Sequence, residues 1–310
     1  MNDTTLALWS GQAACLGAAL LWALALNLFR KPIEQFGPRS VNTLKCLLAG
    51  ALQVATIFIL GQAGALWSAS ARSLIFVAAS GLVGISIGDT VLFAAVLRIG
   101  VHRALLVQTT SPIFTALIAV PLQGERLAPM QVLGALVTLA GVALVVAPSR
   151  GGGRDPKPSA KRTLRRWALG GVALGTLSAI AQAVGIVMAK EGMGEVPVLA
   201  SSALRLSTAA LGLVALAAVS GRLGDLRVAL GNVQALRRIL PATLLGAYVA
   251  IFLMMAGIAL APASIAAVLL TTSPVFSLIL EATVLRRPVT AKDVIGTLAA
   301  VGGVAVLTFA

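Results

Sequence analysis

Two carboxylates lie inside long apolar runs of the sequence, where an ionised side chain is costly. Asp89 stands in the run GISIGDTVLF, and Glu281 lies five residues before Arg286. A charge at the centre of a bilayer costs roughly 2.5–3.5 kcal/mol on insertion scales unless it is paired or hydrated, which makes such residues functional candidates. Asp89 is either a site for a substrate ammonium group or a proton, or a structural partner of Lys45, Arg103 or a neighbouring helix. For Glu281, the closeness of Arg286 favours a salt bridge at the membrane interface.

Two cations also fall within or beside apolar runs. Lys45 follows Leu44, and Arg205 follows Leu204 at the corresponding place in the second half of the chain. A cation that faces a cavity attracts a carboxylate or a phosphate group. Alternatively, a long side chain reaches the nearer membrane surface, which Lys45 can do easily. Arg205 lies ten residues past Glu195, so this is harder for Arg205, and a cavity role is favoured.

The segment Thr-Thr-Ser-Pro occurs twice, at residues 109–112 and 271–274. A proline within a helix removes one backbone hydrogen bond and pushes on the carbonyl four residues earlier. In lipid such a freed carbonyl needs a partner. We expect the hydroxyls and freed carbonyls to line a watery cavity, in preference to a packed kink closed by hydroxyl back-bonding. The predicted site residues are Gln108, Thr109, Thr110, Ser111, Thr271, Thr272 and Ser273, with kinks at Pro112 and Pro274, and with Leu270 supplying the second freed carbonyl.

Other polar or aromatic residues inside apolar runs either line the same site or bridge helices. The spacing of Gly81, Gly84 and Gly88 is typical of close helix contact. His102, the single histidine, is expected in a solvated loop beside Arg103. The further predicted site residues are Trp22, Asn27, Gln182 and Tyr248.

The composition assigns the chain to a membrane. Of its 310 residues, 58% are hydrophobic and 11% are charged, and the mean hydropathy is +0.98. Soluble domains carry about 25% charged residues, so lipid must cover much of this surface. Because each crossing takes roughly 20 apolar residues, we predict an all-α membrane protein with ten transmembrane helices. The predicted spans are Leu6–Phe29, Ser40–Leu60, Ser73–Leu97, Ala104–Leu122, Pro129–Ala147, Trp167–Ala189, Val198–Ser220, Ile239–Leu260, Ala263–Leu285 and Thr290–Phe309.

The net charge of +14 has a distribution that argues against nucleic-acid binding. Twenty of the 24 Lys and Arg residues fall at the odd-numbered linkers between predicted spans, three fall at the even-numbered linkers, and Arg205 lies within a span. Positive charge marks the cytoplasmic side of a membrane protein. The count predicts a multi-pass protein of a bacterial inner membrane with both termini outside the cytoplasm.

The sequence contains an internal duplication. VQTTSPIF at 107–114 recurs as LLTTSPVF at 269–276, a shift of 162 residues, and the same shift relates Gly84 to Gly246. Nearer the N-terminus the shift is slightly smaller and relates Lys45 to Arg205. Five spans are an odd number, so the two copies enter the membrane from opposite faces and enclose a midplane site. We predict two inverted five-helix repeats at 1–147 and 167–310, joined by a flexible, basic cytoplasmic linker at 148–166.

These motifs resemble the drug/metabolite transporter superfamily, in particular chains with two EamA-type domains. The resemblance rests on LLWALAL around Trp22, on the two Thr-Thr-Ser-Pro segments, and on the run Leu122–Val146 with its Gly-Glu-Arg. It covers nearly the whole chain and implies a transporter, without indicating a substrate. The second repeat departs from the pattern with Arg-Arg-Pro at 286–288. The resemblance to better-known members implies cytoplasmic termini, whereas the charge count predicts the reverse, and we follow the charge count.

The expected function is secondary transport of a small polar or amphipathic metabolite by alternating access, as an exporter, in a monomer or homodimer. A flippase for lipids or their headgroups is the main alternative, because a midplane groove can admit a headgroup. A proton-coupled multidrug exporter is less favoured, since spans 1 and 6 contain no acid, although Asp89 can substitute. Neither an enzyme nor a cofactor is expected, because the intramembrane residues offer no aspartyl pair, no Ser-His site and no metal-ligand cluster.

Overall fold

The structure is a computed structural model, in which residues 3–123, 128–146, 158–260 and 263–309 are described. Every regular element in these ranges is a helix, which confirms the prediction of an all-α protein. The Gly-Glu-Arg segment at 124–126 and the linker residues 148–157 lie outside the described residues.

The helices follow one another along the chain with short connections. Those of the first half are α1 (Asp3–Ile59), α2 (Gly64–Ser68), α3 (Ala71–Ser80), the first π-helix (Gly81–Asp89), α4 (Thr90–Ile99), α5 (Val101–Gln108), α6 (Ser111–Gln123) and α7 (Pro129–Val146). Those of the second half are α8 (Pro158–Gly192), α9 (Val198–Val219), α10 (Leu223–Gly231), α11 (Val233–Thr243), the second π-helix (Leu244–Val249), α12 (Ala250–Leu260), α13 (Ala263–Leu270), α14 (Ser273–Thr283) and α15 (Ala291–Phe309).

The 57-residue helix α1 is two helices joined at a kink. Gly37 has φ 79° and ψ 160°, a conformation outside the helical region. Glycine adopts positive φ at little cost, and Pro38 at the next position withholds the backbone N–H that would continue the first helix. The kink falls between the segments predicted as the first and second spans.

Seven stretches of the described residues are long and apolar enough to cross a membrane, which is fewer than the ten predicted. Two causes account for the difference. The first stretch, Trp9–Ile59, contains the Gly37 kink and holds both of the first two predicted spans. The fourth and ninth predicted spans are each divided into two shorter helices, α5 and α6 in the first case and α13 and α14 in the second. The remaining stretches are Ala71–Ile99, Pro129–Val146, Arg166–Gly192, Val198–Val219, Val233–Gly257 and Ala291–Phe309.

Two interruptions of the helices recur at positions that the duplication relates. The two π-helices each interrupt a longer helix and contain the equivalent glycines Gly84 and Gly246. Turns at 109–110 and 271–272 separate α5 from α6 and α13 from α14. The two halves therefore share irregular features that hydrophobic periodicity does not reveal.

Helices α7 and α15 pack closely through equivalent glycines. A Cβ added to Gly134 would lie 2.3 Å from the backbone nitrogen of Leu307, and one added to Gly141 would lie 2.5 Å from that of Ala300. Small residues let helix backbones approach this closely. Gly134 meets Leu307 and the later Gly141 meets the earlier Ala300. The two helices therefore run antiparallel.

Helix α8 begins at Pro158, nine residues before the predicted sixth span. The last part of the segment predicted as a flexible linker is therefore helical. Outward-facing residues of α7 such as Leu133 and Leu136 are exposed and apolar, as expected for a helix that faces lipid.

Candidate functional site

A buried ion pair joins α1 to the first π-helix. Lys45 Nζ contacts Asp89 Oδ2, and the side chains of the two residues are 0% and 3% exposed. The ammonium also lies 5.4 Å from the ring centroid of Phe93 and 5.7 Å from that of Trp22. Of the partners considered for Asp89, Lys45 is thus the one in contact. The idea that Lys45 reaches the membrane surface is wrong, because its side chain is buried within the helices.

The first π-helix sets the position of Asp89, and Asn42 stabilises that helix. The Asn42 amide donates to the carbonyls of Ile85 at 3.0 Å and Ser86 at 3.4 Å, and to Thr90 Oγ1 at 2.8 Å. A π-helix departs from the regular α-helical hydrogen-bond pattern, and such turns are frequent at functional sites. Asn42 was not among the predicted site residues, although an amide one turn before Lys45 in a predicted span was a signal for it.

Arg205 lies in α9 with 2% of its surface exposed, so it is buried, as its distance from the membrane surface indicated. Its Nη1 contacts Met255 Sδ at 3.7 Å, while Nε has no hydrogen-bond partner within the described residues. No carboxylate forms an ion pair with Arg205 among the residues that the structure describes.

Gln182 and Trp22 each pack over the central glycine of a π-helix. A Cβ added to Gly84 would lie 3.1 Å from Gln182 Oε1 and 3.5 Å from Arg205 Nη2. A Cβ added to Gly246 would lie 3.5 Å from Trp22 Cε3. The structure thus places Trp22 with Lys45 and Asp89, and Gln182 with Arg205.

Tyr248 and Asn27 make polar contacts within or between helices. Tyr248, in the second π-helix, lies with its hydroxyl 2.7 Å from Thr56 Oγ1, and its carbonyl accepts from Gln53 Nε2 at 3.2 Å. The Asn27 amide donates to the Ala23 carbonyl within α1 at 2.9 Å. Tyr248 therefore bridges the repeats through Gln53 and Thr56, two residues that sequence reasoning did not select.

The Thr-Thr-Ser-Pro segments form turns between helices, which differs from the predicted mid-helix kink. In the first segment, Thr109 and Thr110 donate to the carbonyls three residues earlier, each at 2.7 Å. Pro112 lies in the first turn of α6, where a missing N–H costs little. Gln108 Nε2 reaches Ser178 Oγ at 3.5 Å, and Ser111 Oγ has no partner among the described residues.

The second segment repeats the arrangement with one difference. Thr271 and Thr272 donate to carbonyls three residues earlier at 2.7 and 2.6 Å, and Pro274 lies in the first turn of α14. Here Ser273 also donates to the Leu270 carbonyl at 3.1 Å. Back-bonding of the hydroxyls, the alternative to cavity lining, therefore closes this turn, and a role in binding stays a prediction.

His102 is buried, so its expected place in a solvated loop is wrong. Its Nδ1 lies 3.2 Å from the Pro274 carbonyl, and its Nε2 lies 3.3 Å from Thr297 Oγ1. Because a carbonyl can only accept, the proton of this contact belongs to Nδ1. His102 thereby fixes the second Thr-Thr-Ser-Pro turn to α15. The interfacial salt bridge expected for Glu281 is present, but its partner is Arg287, at 3.6 Å, instead of Arg286.

A cavity of about 500 Å³ opens beside the α1 kink, between α1 and the junction of α9 with α10. None of the predicted site residues lies on its described wall, although Thr90 follows Asp89 directly. The polar residues of the wall are Arg39, Ser40, Thr43, Thr90, Ser220, Arg222 and Asp225.

At the opposite end of α9, two exposed polar contacts join the repeats. Arg72 Nη2 lies 2.8 Å from Glu191 Oε1, and the Ser70 backbone N–H donates to Glu195 Oε2 at 2.8 Å. These hydrogen bonds from Ser70 lower the pKa of Glu195. We call these two contacts the latch. Helix α9, whose 22 residues span about 33 Å, separates the latch from the cavity.

The described residues contain no group of three or more His, Cys, Asp or Glu side chains that could hold a metal ion. The polar side chains between the repeats include one carboxylate, two cations and an amide, namely those of Asp89, Lys45, Arg205 and Gln182.

Comparison with known proteins identifies a family that matches the chain and a solved structure with a similar fold. Residues 9–147 and 169–309 each match the EamA-like transporter family. A solved crystal structure, described only as that of a protein, shares 21% identity over 97% of both chains, with a TM-score of 0.63. At this identity the likeness shows a common fold alone. No curated protein matches the chain.

Proposed function

Because the chain belongs to the EamA-like transporter family, we propose that it is a secondary transporter that exports a small polar or amphipathic metabolite by alternating access. The substrate passes between the two repeats, near Arg205 and Asp89. A polar centre enclosed by apolar helices supports this role, since ionisable groups inside a membrane mark substrate pathways.

Ten crossings in two inverted repeats are part of the proposal. The kink at Gly37 splits α1 into two crossings, and the turns at 109–110 and 271–272 leave α5 with α6, and α13 with α14, as two broken crossings. The antiparallel packing of α7 on α15 supports the inversion, because copies with opposite orientation bring equivalent helices together head to tail.

The observation that carries the proposal is the asymmetry between the two ends of α9. At one end, the cavity lies between the repeats with Arg39 and Arg222 in its wall. At the other end, the latch joins α3 and the preceding turn to the segment between α8 and α9. We propose that the path between the repeats is open at the cavity and closed at the latch, which is the arrangement that alternating access requires.

We propose export on the basis of the predicted orientation of this asymmetry, with the substrate loaded from the cytoplasm. Arg39 and Arg222 belong to the odd-numbered linkers, which hold most of the cations and are predicted to be cytoplasmic. The open end then faces the cytoplasm, and both termini lie outside it. Lys45 was counted with these linkers and is buried in the structure, but removing it leaves the bias intact.

Protons are the proposed coupling ion. The candidate coupling residue is Asp89, whose Oδ1 is buried without a hydrogen-bond partner within the described residues and whose pairing with Lys45 joins α1 to the first π-helix.

The first experiment identifies a substrate. Purified full-length protein is screened for thermal stabilisation by amino acids, amines, nucleosides and lipid headgroups, because a ligand that binds the folded state raises its apparent stability. The stabilising compound is then followed by counterflow in proteoliposomes. Stabilisation by headgroups alone, with lipid scrambling in the vesicles, would replace the metabolite transporter with a flippase.

The second experiment tests alternating access at the latch. Arg72→Cys and Glu191→Cys are combined and joined with a short bis-methanethiosulfonate reagent, and reductant reverses the link. Cys15 and Cys46 are buried and are not expected to react. We expect crosslinking to stop counterflow and reductant to restore it, whereas each single variant stays active under the reagent. Full transport by the crosslinked protein would exclude opening at this end.

A further inference from the structure

The two repeats surround their buried cations with equivalent residues. Lys45 and Arg205 correspond in the two halves, as do Phe93 and Met255, which are related by the 162-residue shift. Lys45 Nζ lies 5.4 Å from the Phe93 ring centroid, and Arg205 Nη1 lies 3.7 Å from Met255 Sδ. Each cation therefore packs on the same position of the helix that follows a π-helix.

The correspondence extends to the helices on the other side of each cation. Trp22 lies under Lys45 and against Gly246, while Gln182 lies beside Arg205 and against Gly84. The separation between Trp22 and Gln182 is the same as that between Lys45 and Arg205. The two cation environments are thus copies of one another in position, with different side chains.

One position makes the two environments differ in charge. The 162-residue shift carries Asp89 to Ile251, which is buried in the same apolar cluster as Met255. Lys45 is paired with the carboxylate of Asp89. The corresponding residue in the second repeat, Ile251, is apolar. Taking an ion out of water costs several kcal/mol unless a partner of opposite charge compensates it. The free-energy cost of burying Arg205 is therefore not compensated by a carboxylate, and its Nε has no hydrogen-bond partner in the described part of the chain.

We infer that the transported solute supplies the missing carboxylate: Arg205 is the residue that binds an anionic group, a carboxylate or a phosphate, on the substrate. This rests on the transport function proposed above. A guanidinium presents paired N–H donors that match either group. With Lys45 and Asp89 neutralising each other, the centre carries one net positive charge and is complementary to a monoanion.

Arg205 lies on the face of α9 that also contributes to the cavity wall. Leu213 is in the cavity wall and lies eight residues after Arg205, with Ala209 midway between them. Positions i, i+4 and i+8 share a helix face, and eight residues rise about 12 Å. Arg205 therefore lies two turns deeper on the face that ends at the cavity. Its side chain is 2% exposed, so the solute reaches it when the repeats move apart.

The test is anion binding by the purified full-length protein, followed by thermal unfolding at constant ionic strength. The probes are phenylacetate, phenyl phosphate and the uncharged phenylacetamide. We expect one or both anions to raise the Tm by about 3 °C or more, while phenylacetamide leaves it unchanged. The anion that acts distinguishes a carboxylate site from a phosphate site. An equal rise with phenylacetamide, or no rise with either anion, would overturn the inference.

Three variants localise the effect. Arg205→Gln is expected to lose the anion-dependent rise and Arg205→Lys to keep part of it. Arg238→Gln removes an exposed cation of α11 and is expected to behave as wild type. A rise that persists undiminished in Arg205→Gln would overturn the assignment.

A fourth variant decides the question if Arg205→Gln does not fold. Ile251→Asp installs the carboxylate that the first repeat has and the second lacks. We expect it to pair with Arg205, to raise the Tm without ligand, and to abolish the anion response. An unchanged anion response in a folded Ile251→Asp protein would contradict the inference.

The outcome is separable from that of the transport proposal. Anion binding through Arg205 without counterflow in proteoliposomes would reject transport and keep the binding site. Counterflow of a solute that needs no anionic group, unaffected by Arg205→Gln, would keep transport and reject the binding site.

Discussion

The hydroxyl of Thr138 lies 3.3 Å from the carbonyl of Ala300, to which it donates a hydrogen bond across 162 residues of sequence. The same separation relates the two Thr-Thr-Ser-Pro segments, so Thr138 contacts its own counterpart in the second repeat. A residue meets its counterpart only at a two-fold axis, as in an isologous interface. The contact therefore marks the pseudo-symmetry axis between α7 and α15.

The glycines around this axis give the first prediction. A Cβ added to Gly303 would lie 2.4 Å from the Thr138 backbone nitrogen, while one added to Gly302 meets nothing within 4 Å. Gly303→Ala is expected to lower the unfolding free energy by about 2 kcal/mol through overpacking. Gly302→Ala is the matched control and is expected to be neutral or up to about 1 kcal/mol stabilising. Thermal melts in detergent compare the two, and equal Tm values would show that the close approach does not matter.

The buried pair of Lys45 and Asp89 gives the second prediction. Asp89→Asn leaves an ammonium buried without its counter-charge, which typically costs 3–5 kcal/mol. We expect this single variant to be strongly destabilised. The double variant Asp89→Asn with Lys45→Met removes both charges and is expected to regain most of the stability.

Transport by the double variant distinguishes a role of the ion pair in folding from a role in transport. Because its fold is restored, a remaining loss of counterflow assigns the pair to the transport cycle. Normal rates in the double variant would show that the pair serves folding alone.

The latch gives the third prediction, on pH. Hydrogen bonds lower the pKa of Glu195, so the contact is complete above the ordinary glutamate pKa of about 4.3. It is lost only as the pH falls through the lowered value. Spin labels at Gly64 and Gly194, where an added Cβ meets no neighbour, report the distance across this end. We expect an unchanged distance distribution from about pH 8 to pH 5.

The control for the latch is Glu195→Gln, which removes the charged acceptor. It is expected to broaden the distribution at every pH, whereas wild type broadens only in stronger acid. Broadening of the wild-type distribution already at mildly acidic pH would contradict a lowered pKa.

Membrane orientation is the fourth prediction. Alkaline phosphatase fused after the C-terminus is expected to be active, because this enzyme folds outside the cytoplasm. Green fluorescent protein at the same site is expected to be dark, because it becomes fluorescent in the cytoplasm. A fusion at the 148–157 segment should give the opposite pair of results. A fluorescent C-terminal fusion would reverse the orientation and with it the proposed direction of transport.

The sequence was sufficient for the helical class and the duplication. These depend on composition and on a four-residue identity. The pairing of Asp89 with Lys45 was one of several alternatives that spacing alone left open. Choosing among them requires knowing which helix faces meet, which is a tertiary property.

The missed features have local physical causes. The π-helices shift the register of a helix without changing its hydrophobic pattern, so the role of Asn42 in stabilising the first one was not evident. The prolines of the Thr-Thr-Ser-Pro segments were expected inside continuous helices. They begin new helices instead, because the threonine hydroxyls end the preceding ones. His102 was expected in water because it lies near the start of a predicted span, where burial depends on α14 and α15.

The axis at Thr138 has a consequence for how such a chain could have arisen. A half-length polypeptide with the glycine face of α7 can cover that face with a second copy of itself only when the copy sits upside down in the bilayer. Such a half must insert in both orientations in equal numbers. Joining the halves in one chain fixes one orientation for each, and allows equivalent positions to hold different residues, as Asp89 and Ile251 do.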